Sequence, residues 1–240
     1  MISERQNILT VGTKNEETRH AWVAQKLADL SPGSRILDAG AGEQPYRQFC
    51  SHLRYVSQDF AQYESTVSNT GLQMAKWDYG RLDIICDITA IPEPDGSFDA
   101  VMCLEVLEHV ADPLSVIHEL SRLVRKGRRL IASAPVCSLT HFAPYHFSTG
   151  FSRFFYEKHL PENGFRVLEV TPNGNYFEYL AQELRRLEDV AMKYGRMRPG
   201  RLERGAITRL LKMLQRFSSH ASGSDELLAF GFQVIAEKER

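Results

Sequence analysis

Asp38, Asp59 and Asp87 each stand where a short apolar run gives out: RILDAG at 35–40, RYVSQDF at 54–60 and LDIICDI at 82–88. An ionised carboxylate is a pure acceptor, suited to hydroxyls and amines. Asp38 opens the turn Asp38-Ala39-Gly40-Ala41-Gly42, whose glycines let a backbone come close to a ligand at the carboxyl end of a sheet. A GxG alone also serves phosphate sites and purely structural turns. Here it continues as Glu43-Gln44-Pro45, with no further glycine and no lysine to grip a phosphate. An acid ahead of the turn suits a ligand with a cationic end, such as an amino acid's ammonium, better than a pyrophosphate. Asp59, seventeen residues past Gly42, can accept both hydroxyls of a ribose. Asp87 with Ile88 suits an adenine amino group and its ring. Singly, each aspartate reads as a solvated or capping group; three in succession read as one site.

A second set of groups lies in CLEVLEHV, 103–110. If this segment turns helical, Glu105, Glu108 and His109 fall at i, i+3 and i+4, on one face. Two carboxylates and an imidazole suit Mg²⁺, Mn²⁺ or Zn²⁺. The plainer alternative is that the carboxylates serve loops and the cofactor. Downstream, THFAPYHF carries His141 and His146, and histidine, as the side-chain type that titrates near neutrality, could take the proton of an acceptor. Both could equally be half-buried loop histidines. Phe142, Tyr145, Phe147, Phe151, Phe154, Phe155 and Tyr156 follow closely, as a lined acceptor cavity or as a core stripe.

These groups need elements to hold them. Residues 16–30 have helical spacing, with Trp22, Val23, Leu27 and Leu30 on one face, and Ser31-Pro32-Gly33 ends the helix. Strands follow at 35–40, 54–60, 82–88 and 98–105, with a helix opening at Pro45 between the first two. Asp112-Pro113 opens a helix running to Lys126-Gly127, with Gly127 as its C-cap. Further strands are expected at 129–135, 165–171 and 230–238, the last two separated by a long helical stretch, roughly 175–220. Val/Ile/Leu-rich strands alternating with helices predict a parallel sheet covered on both faces.

RILDAGAG, YVSQDF and CDITAIPEPDGSFDAVMCLEVLEHVADP, in this order and spacing, resemble the class I S-adenosylmethionine-dependent methyltransferases across 35–135 and more loosely to 171. The resemblance implies an α/β, doubly wound Rossmann-like sheet of seven strands, mostly parallel with an antiparallel last strand. It also implies a helical elaboration before that strand. One domain over 1–240 is expected: an N-terminal helix at 16–34, a cofactor core at 35–171, the elaboration at 172–222 and a final strand at 223–240. The resemblance places Asp38, Gly40 and Gly42 along the methionine of S-adenosylmethionine, Asp59 at the ribose and Asp87 with Ile88 at the adenine, and Ala39, Phe60 and Leu104 are expected among the cofactor-binding residues. Gln44 departs from the commoner pattern, in which a third glycine stands there. Glu-x-x-Glu-His resembles the metal motif of small-RNA 2′-O-methyltransferases and ubiquinone-pathway O-methyltransferases. A second histidine after the fifth strand, here His146, completes that metal set with Glu105, Glu108 and His109. A bound divalent ion would lower the pKa of an acceptor hydroxyl. The chain as a whole, including TGFSRFFYEKHLPENGF, resembles methyltransferases of bacterial surface-polysaccharide loci, which points to a sugar or nucleotide-sugar acceptor.

With 29 basic and 30 acidic residues the chain has no overall pull toward nucleic acid or membrane. From Lys193 to Arg216, however, eight lysines and arginines face one acid, Glu203. A solvated helical face is the common meaning of such a run. Leu202, Ile207, Leu210, Leu211, Met213 and Leu214 interleave with the charges, which also suits a peripheral membrane contact or an anionic acceptor. The four cysteines, Cys50, Cys86, Cys103 and Cys137, make no CxxC pair; three lie in apolar runs and read as reduced core residues of a cytoplasmic protein. MISERQNILTVG lacks an apolar leader, and no run spans a membrane. Two rival functions stand beside transfer to a small-molecule oxygen. One is RNA 2′-O-methylation, with the basic run on phosphate, although nothing else suggests nucleic-acid binding. The other is a non-catalytic S-adenosylmethionine-binding scaffold, against which the intact aspartates and glycines argue. Oligomeric state is not legible.

Overall fold

The computed structural model describes residues 9–64, 70–72 and 77–239. Most of the leader-free N-terminal reading, residues 1–8, lies outside the described residues. The chain divides into two compact units, Arg19–Thr171 with Gly231–Arg240, and Met1–Thr18 with Pro172–Phe230.

The larger unit is built on a seven-stranded sheet. Its strands are β1 (Arg35–Ala39), β2 (Arg54–Asp59), β3 (Ile84–Ile85), β4 (Phe98–Leu104), β5 (Val124–Pro135), β6 (Phe165–Asn173) and β7 (Gly231–Lys238). The spatial order is β3-β2-β1-β4-β5-β7-β6. β3, β2, β1, β4 and β5 pair in parallel, and β7 runs antiparallel to β5, as the sequence led us to expect. Because side chains alternate along a strand, successive residues feed opposite cores. Leu37, Val101, Cys103, Leu130 and Ala132 pack with Ile117 and Leu120 of helix α2 (Pro113–Leu123) and with Tyr156 and Leu160 of helix α3 (Arg153–Glu162). Ile36, Ala100, Met102, Leu104 and Ile131 meet Trp22, Val23 and Leu27 of helix α1 (Asn15–Ala28) on the other face. Doubly wound burial explains why these strands read as continuous apolar runs.

Several local expectations are corrected. The segment after Pro45 forms only a 3₁₀ turn, Arg47–Phe49. Strand 82–88 shrinks to two residues, since Asp83 takes over the ladder with its carboxylate: Ser57 N and Oγ both donate to Asp83 Oδ2. α2 ends at Leu123, four residues before Gly127. Val124 turns extended and pairs with Phe98. The register then jumps to Ala100↔Arg129, so residues 125–128 bulge out, with Arg125 and Arg128 both on Asp99. Gly127 supplies a positive φ of 73° to that bulge rather than capping a helix. Of the cysteines, Cys50 and Cys103 are buried and Cys86 and Cys137 half-buried; only Cys103 is in a strand, and all four are free.

The smaller unit joins the segment ahead of Thr18 to two helices, α4 (Tyr176–Val190) and α5 (Arg201–His220). A π-helical turn (Ala191–Gly195) and Pro199-Gly200 break the long helix expected over 175–220. Asn175 caps α4, accepting from Phe177 N and Glu178 N. Val11, Ala181, Leu211 and Leu214 form its buried core. Residues 9–12 are held by side chains: Gln215 Oε1 accepts from Thr10 N and Val11 N, Glu178 from Gly12 N, and Arg185 donates to the carbonyls of Leu9 and Val11. No helix among the described residues is long and apolar enough to cross a membrane.

Candidate functional site

Every candidate catalytic, cofactor and metal residue lies within Arg19–Thr171, at the carboxyl ends of β1 to β4 or in the loops that follow β3, β4 and β5. Asp38, at the end of β1, is 2% exposed. Tyr55 of β2 donates its hydroxyl to Asp38 Oδ2 at 2.6 Å. Burial nevertheless dominates and pushes the Asp38 carboxyl up to about 7, with a further push from Asp59. Asp59 is also raised by burial, opposed by backbone N–H groups. Its Oδ2 accepts from Gly42 N at 2.9 Å and its Oδ1 from Ala61 N at 3.0 Å. β2 therefore holds the glycine turn as well as lying beside it. Gln58 strengthens the hold, accepting at its carbonyl from Gly40 N and Ala41 N.

Gly40 (φ 78°) and Gly42 (φ 52°) take the left-handed conformation that favours glycine. The atoms that approach them are Val106 over Gly40 and Trp77 over Gly42, so a Cβ at either position would collide with protein. Gln44 adopts φ 57° even without being glycine. Its amide donates to the carbonyls of Tyr79 (2.8 Å) and Arg81 (3.0 Å), tying the turn to the segment before β3. The departure from the glycine pattern thus has a structural use. Asp87 lies just beyond β3 and is exposed, capping its own turn through Thr89 N and Oγ1, while Ile88 beneath it is buried. Ala39 and Leu104 are buried at the ends of β1 and β4. Phe60 is half-buried and meets Tyr145 edge-on at 4.9 Å.

The metal candidates separate. CLEVLEHV is not helical at Glu105: β4 ends at Leu104, Glu105 takes φ 56°, and only Leu107–His109 form a 3₁₀ turn. Glu105 accepts from Ser133 Oγ at 2.8 Å and pairs with Arg19 at 3.0 Å. Glu108, His109 and His141 instead offer ligand atoms all within 4.8 Å of one another. Glu108 is 1% exposed and its Oε2 has no hydrogen-bond partner. Burial, then the charge of Glu105, drives its carboxyl well above the usual range. His109 donates Nδ1–H to the Tyr145 carbonyl at 2.6 Å, which leaves Nε2 bearing the lone pair. Burial and the neighbouring His141 hold His109 down at about 3. His141 likewise donates Nδ1–H to the Leu139 carbonyl at 2.9 Å. His146 is outside this group. Ser138 gives its hydroxyl proton to Thr149 O and so accepts from His146 Nε2 at 3.1 Å, leaving Nδ1 with the lone pair. Its ring centre is 6.2 Å from that of His109 and 5.1 Å from that of His141.

The aromatic run after β5 divides as well. Phe142 stacks on Tyr63 at 3.6 Å and meets Trp77 and His109 at 4.9 Å. Phe151 and Tyr156 are core residues, Phe155 packs on Phe151, and Phe147 and Phe154 are exposed. Tyr55, Gln58, Trp77 and Ser133 support the site and were missed, since in a strand or loop their types read as ordinary packing. Tyr55 and Asp59 share strand parity, a signal that both face the same side.

The methyltransferase-domain family matches residues 37–132. A ubiquinone biosynthesis O-methyltransferase of Xanthomonas oryzae pv. oryzae is 36% identical over 116 residues, 47% of this chain and 46% of that protein. The chain thus matches about half the length of this curated relative. A SAM-dependent methyltransferase from Archaeoglobus fulgidus superposes with a TM-score of 0.56 at 14% identity, covering 92% of this chain and 94% of the other. Phosphoethanolamine N-methyltransferase 2 of Haemonchus contortus, solved with S-adenosyl-L-methionine, gives 0.55 at 15% identity over 93% of this chain and 53% of that one. At these identities the structures show the fold.

Proposed function

We propose that this chain, which carries a class I methyltransferase domain, moves a methyl group from S-adenosylmethionine to a hydroxyl oxygen of a small molecule, a sugar or polysaccharide precursor. The row of carboxylates carries the reading: Asp38 and Asp59 stand at the carboxyl ends of β1 and β2 and Asp87 just beyond β3, three strands that are neighbours in the sheet. Each keeps acceptor capacity beyond its present bonds, since an ionised carboxylate has about four lone-pair sites. In this reading Asp38 accepts the methionine ammonium, Asp59 the ribose hydroxyls and Asp87 the adenine amine, with Ile88, Phe60 and Leu104 as apolar wall. The matched relative is named as an O-methyltransferase, which supports oxygen as the acceptor atom. The four free thiols support a reducing, cytoplasmic setting.

When bound, the donor supplies an electrophilic methyl on a sulfonium. The chain's part is to align the acceptor oxygen with that methyl, which can remove roughly 7 kcal/mol or more of the barrier, and to take the hydroxyl proton. His109, held at about 3, keeps a proton too weakly for that task. His141 and His146 remain as acceptors. Glu108, His109 and His141 would hold a divalent ion such as Mg²⁺, Mn²⁺ or Zn²⁺, which the unpartnered Glu108 Oε2 and two imidazole lone pairs fit. Such an ion lowers the pKa of a bound hydroxyl. His146 Nδ1 is then the remaining base.

Calorimetry with S-adenosylhomocysteine tests the reading. The wild type should bind, and Asp59→Ala should weaken binding roughly tenfold to hundredfold, the worth of hydrogen bonds to a charged group. A wild-type protein that does not bind overturns the assignment.

A further inference from the structure

Helix α5 has two apolar faces, one buried in the core of its unit and one largely open, with Phe217 at its end meeting the ring of Phe177 at 5.6 Å. Ile207, Leu211, Leu214 and Ser218 lie on one side, buried or half-buried, with Leu211 and Leu214 in the core of their unit. At 100° per residue, Leu202, Ala206, Leu210, Met213 and Phe217 form a second stripe, centred about 110° away. All five are exposed, Leu202 at 91%, Leu210 at 44% and Phe217 at 40%. Alongside it run Arg201, Arg209, Lys212 and Arg216, exposed and on the side of the stripe away from the buried face. Arg204, on the packed side, pairs instead with Glu188 at 2.8 Å. The charges therefore sort by face, not merely by number.

An apolar stripe bordered by basic residues matches one kind of surface, where acyl chains lie beneath phosphates. Nucleic acid would use the basic row and leave Leu202, Leu210 and Phe217 in water. A protein groove would cover the stripe, but nothing on this helix asks for an acidic row beside it. We propose that the outer face of α5 is a peripheral docking surface for an anionic lipid bilayer. Leu202, Leu210, Met213 and Phe217 enter the headgroup region, and Arg201, Arg209, Lys212 and Arg216 reach lipid phosphates, their alkyl stems lying along the interface.

The full chain is sedimented with vesicles of phosphatidylcholine, with and without 30% phosphatidylglycerol as the experimental choice. Binding is expected only with the anionic lipid. Arg209→Gln/Lys212→Gln should reduce the partition coefficient by about fivefold per residue, and Leu210→Glu/Phe217→Glu by at least as much. Both pairs are exposed, so circular dichroism should remain that of the wild type. Leu202→Trp reports insertion: its emission shifts to the blue on anionic vesicles and is no longer quenched by iodide. Absence of vesicle binding, partitioning unaffected by Leu210→Glu/Phe217→Glu, or a Leu202→Trp emission that does not move each overturns the proposal. So does a wild-type dimer that these apolar substitutions dissociate while vesicles fail to bind it.

Discussion

Asp38 is an acid pushed up to about 7 by burial, at a place where the proposed ligand brings a cation. The two facts are linked through protons. Below about 7 the site binds ligand only after losing a proton, so apparent affinity should rise about tenfold per pH unit toward 7 and level off above it. Calorimetry at pH 5.5, 6.5 and 8 in buffers of different ionisation enthalpy reads the released proton directly: close to one at pH 5.5, near zero at pH 8. Tyr55→Phe removes the hydroxyl that favours the ionised form, so the rise should move to higher pH. A flat affinity profile with no proton release would place the ammonium elsewhere. The folding consequence has a definite sign. A carboxyl raised in the folded state adds stability that is full below its unfolded value, near 3.8, and lost as pH climbs to about 7. His109 works oppositely, its stabilisation present above about 6.5 and lost as pH falls toward 3.

At the scale of elements, the glycine turn and its aspartates were legible because each lies within a few residues of a strand end, where chain order fixes position. The histidine cluster was less so. Helical spacing in EVLEHV put Glu105, Glu108 and His109 on one face, but β4 stops at Leu104 and Glu105 turns left-handed to meet Ser133. That partner is 28 residues away, beyond any local pattern. The choice of His141 over His146 likewise depends on a loop tied down by bonds such as Phe147 N to Glu108 O, which no periodicity reports. The structure therefore distinguishes two ligand sets. Titrating Zn²⁺ or Mn²⁺ into the protein, His109→Ala and His141→Ala should lose affinity by more than the roughly 10–100-fold typical of outer-shell changes, while His146→Ala and Glu105→Gln should keep it within that range. Equal losses at Glu105 and His146 would restore the set read from sequence.

At the scale of the whole chain, sequence order hides a partition. The helical elaboration was legible from 172 onward as amphipathic pattern, but its unit also recruits residues 9–18, joined by bonds spanning more than 160 positions, such as Gly12 N to Glu178 and Thr10 N to Gln215. Such contacts leave no mark in a window of one or two turns. Among the described residues the core they enclose is small: Val11, Ala181, Leu211 and Leu214 are buried, with Leu9, Phe177, Leu184 and Ile207 packed against them. Leu211→Ala should therefore cost about 2–5 kcal/mol, most of it borne by α4, α5 and residues 9–13. Hydrogen exchange should speed up in those segments first, since a small core opens at a lower free energy than the doubly covered sheet. The residues assigned to the donor all lie in Arg19–Thr171, so S-adenosylhomocysteine should bind Leu211→Ala within about twofold of the wild type. Protection lost evenly across β1, β4 and β5 as well would mean that the two cores open as a single cooperative body.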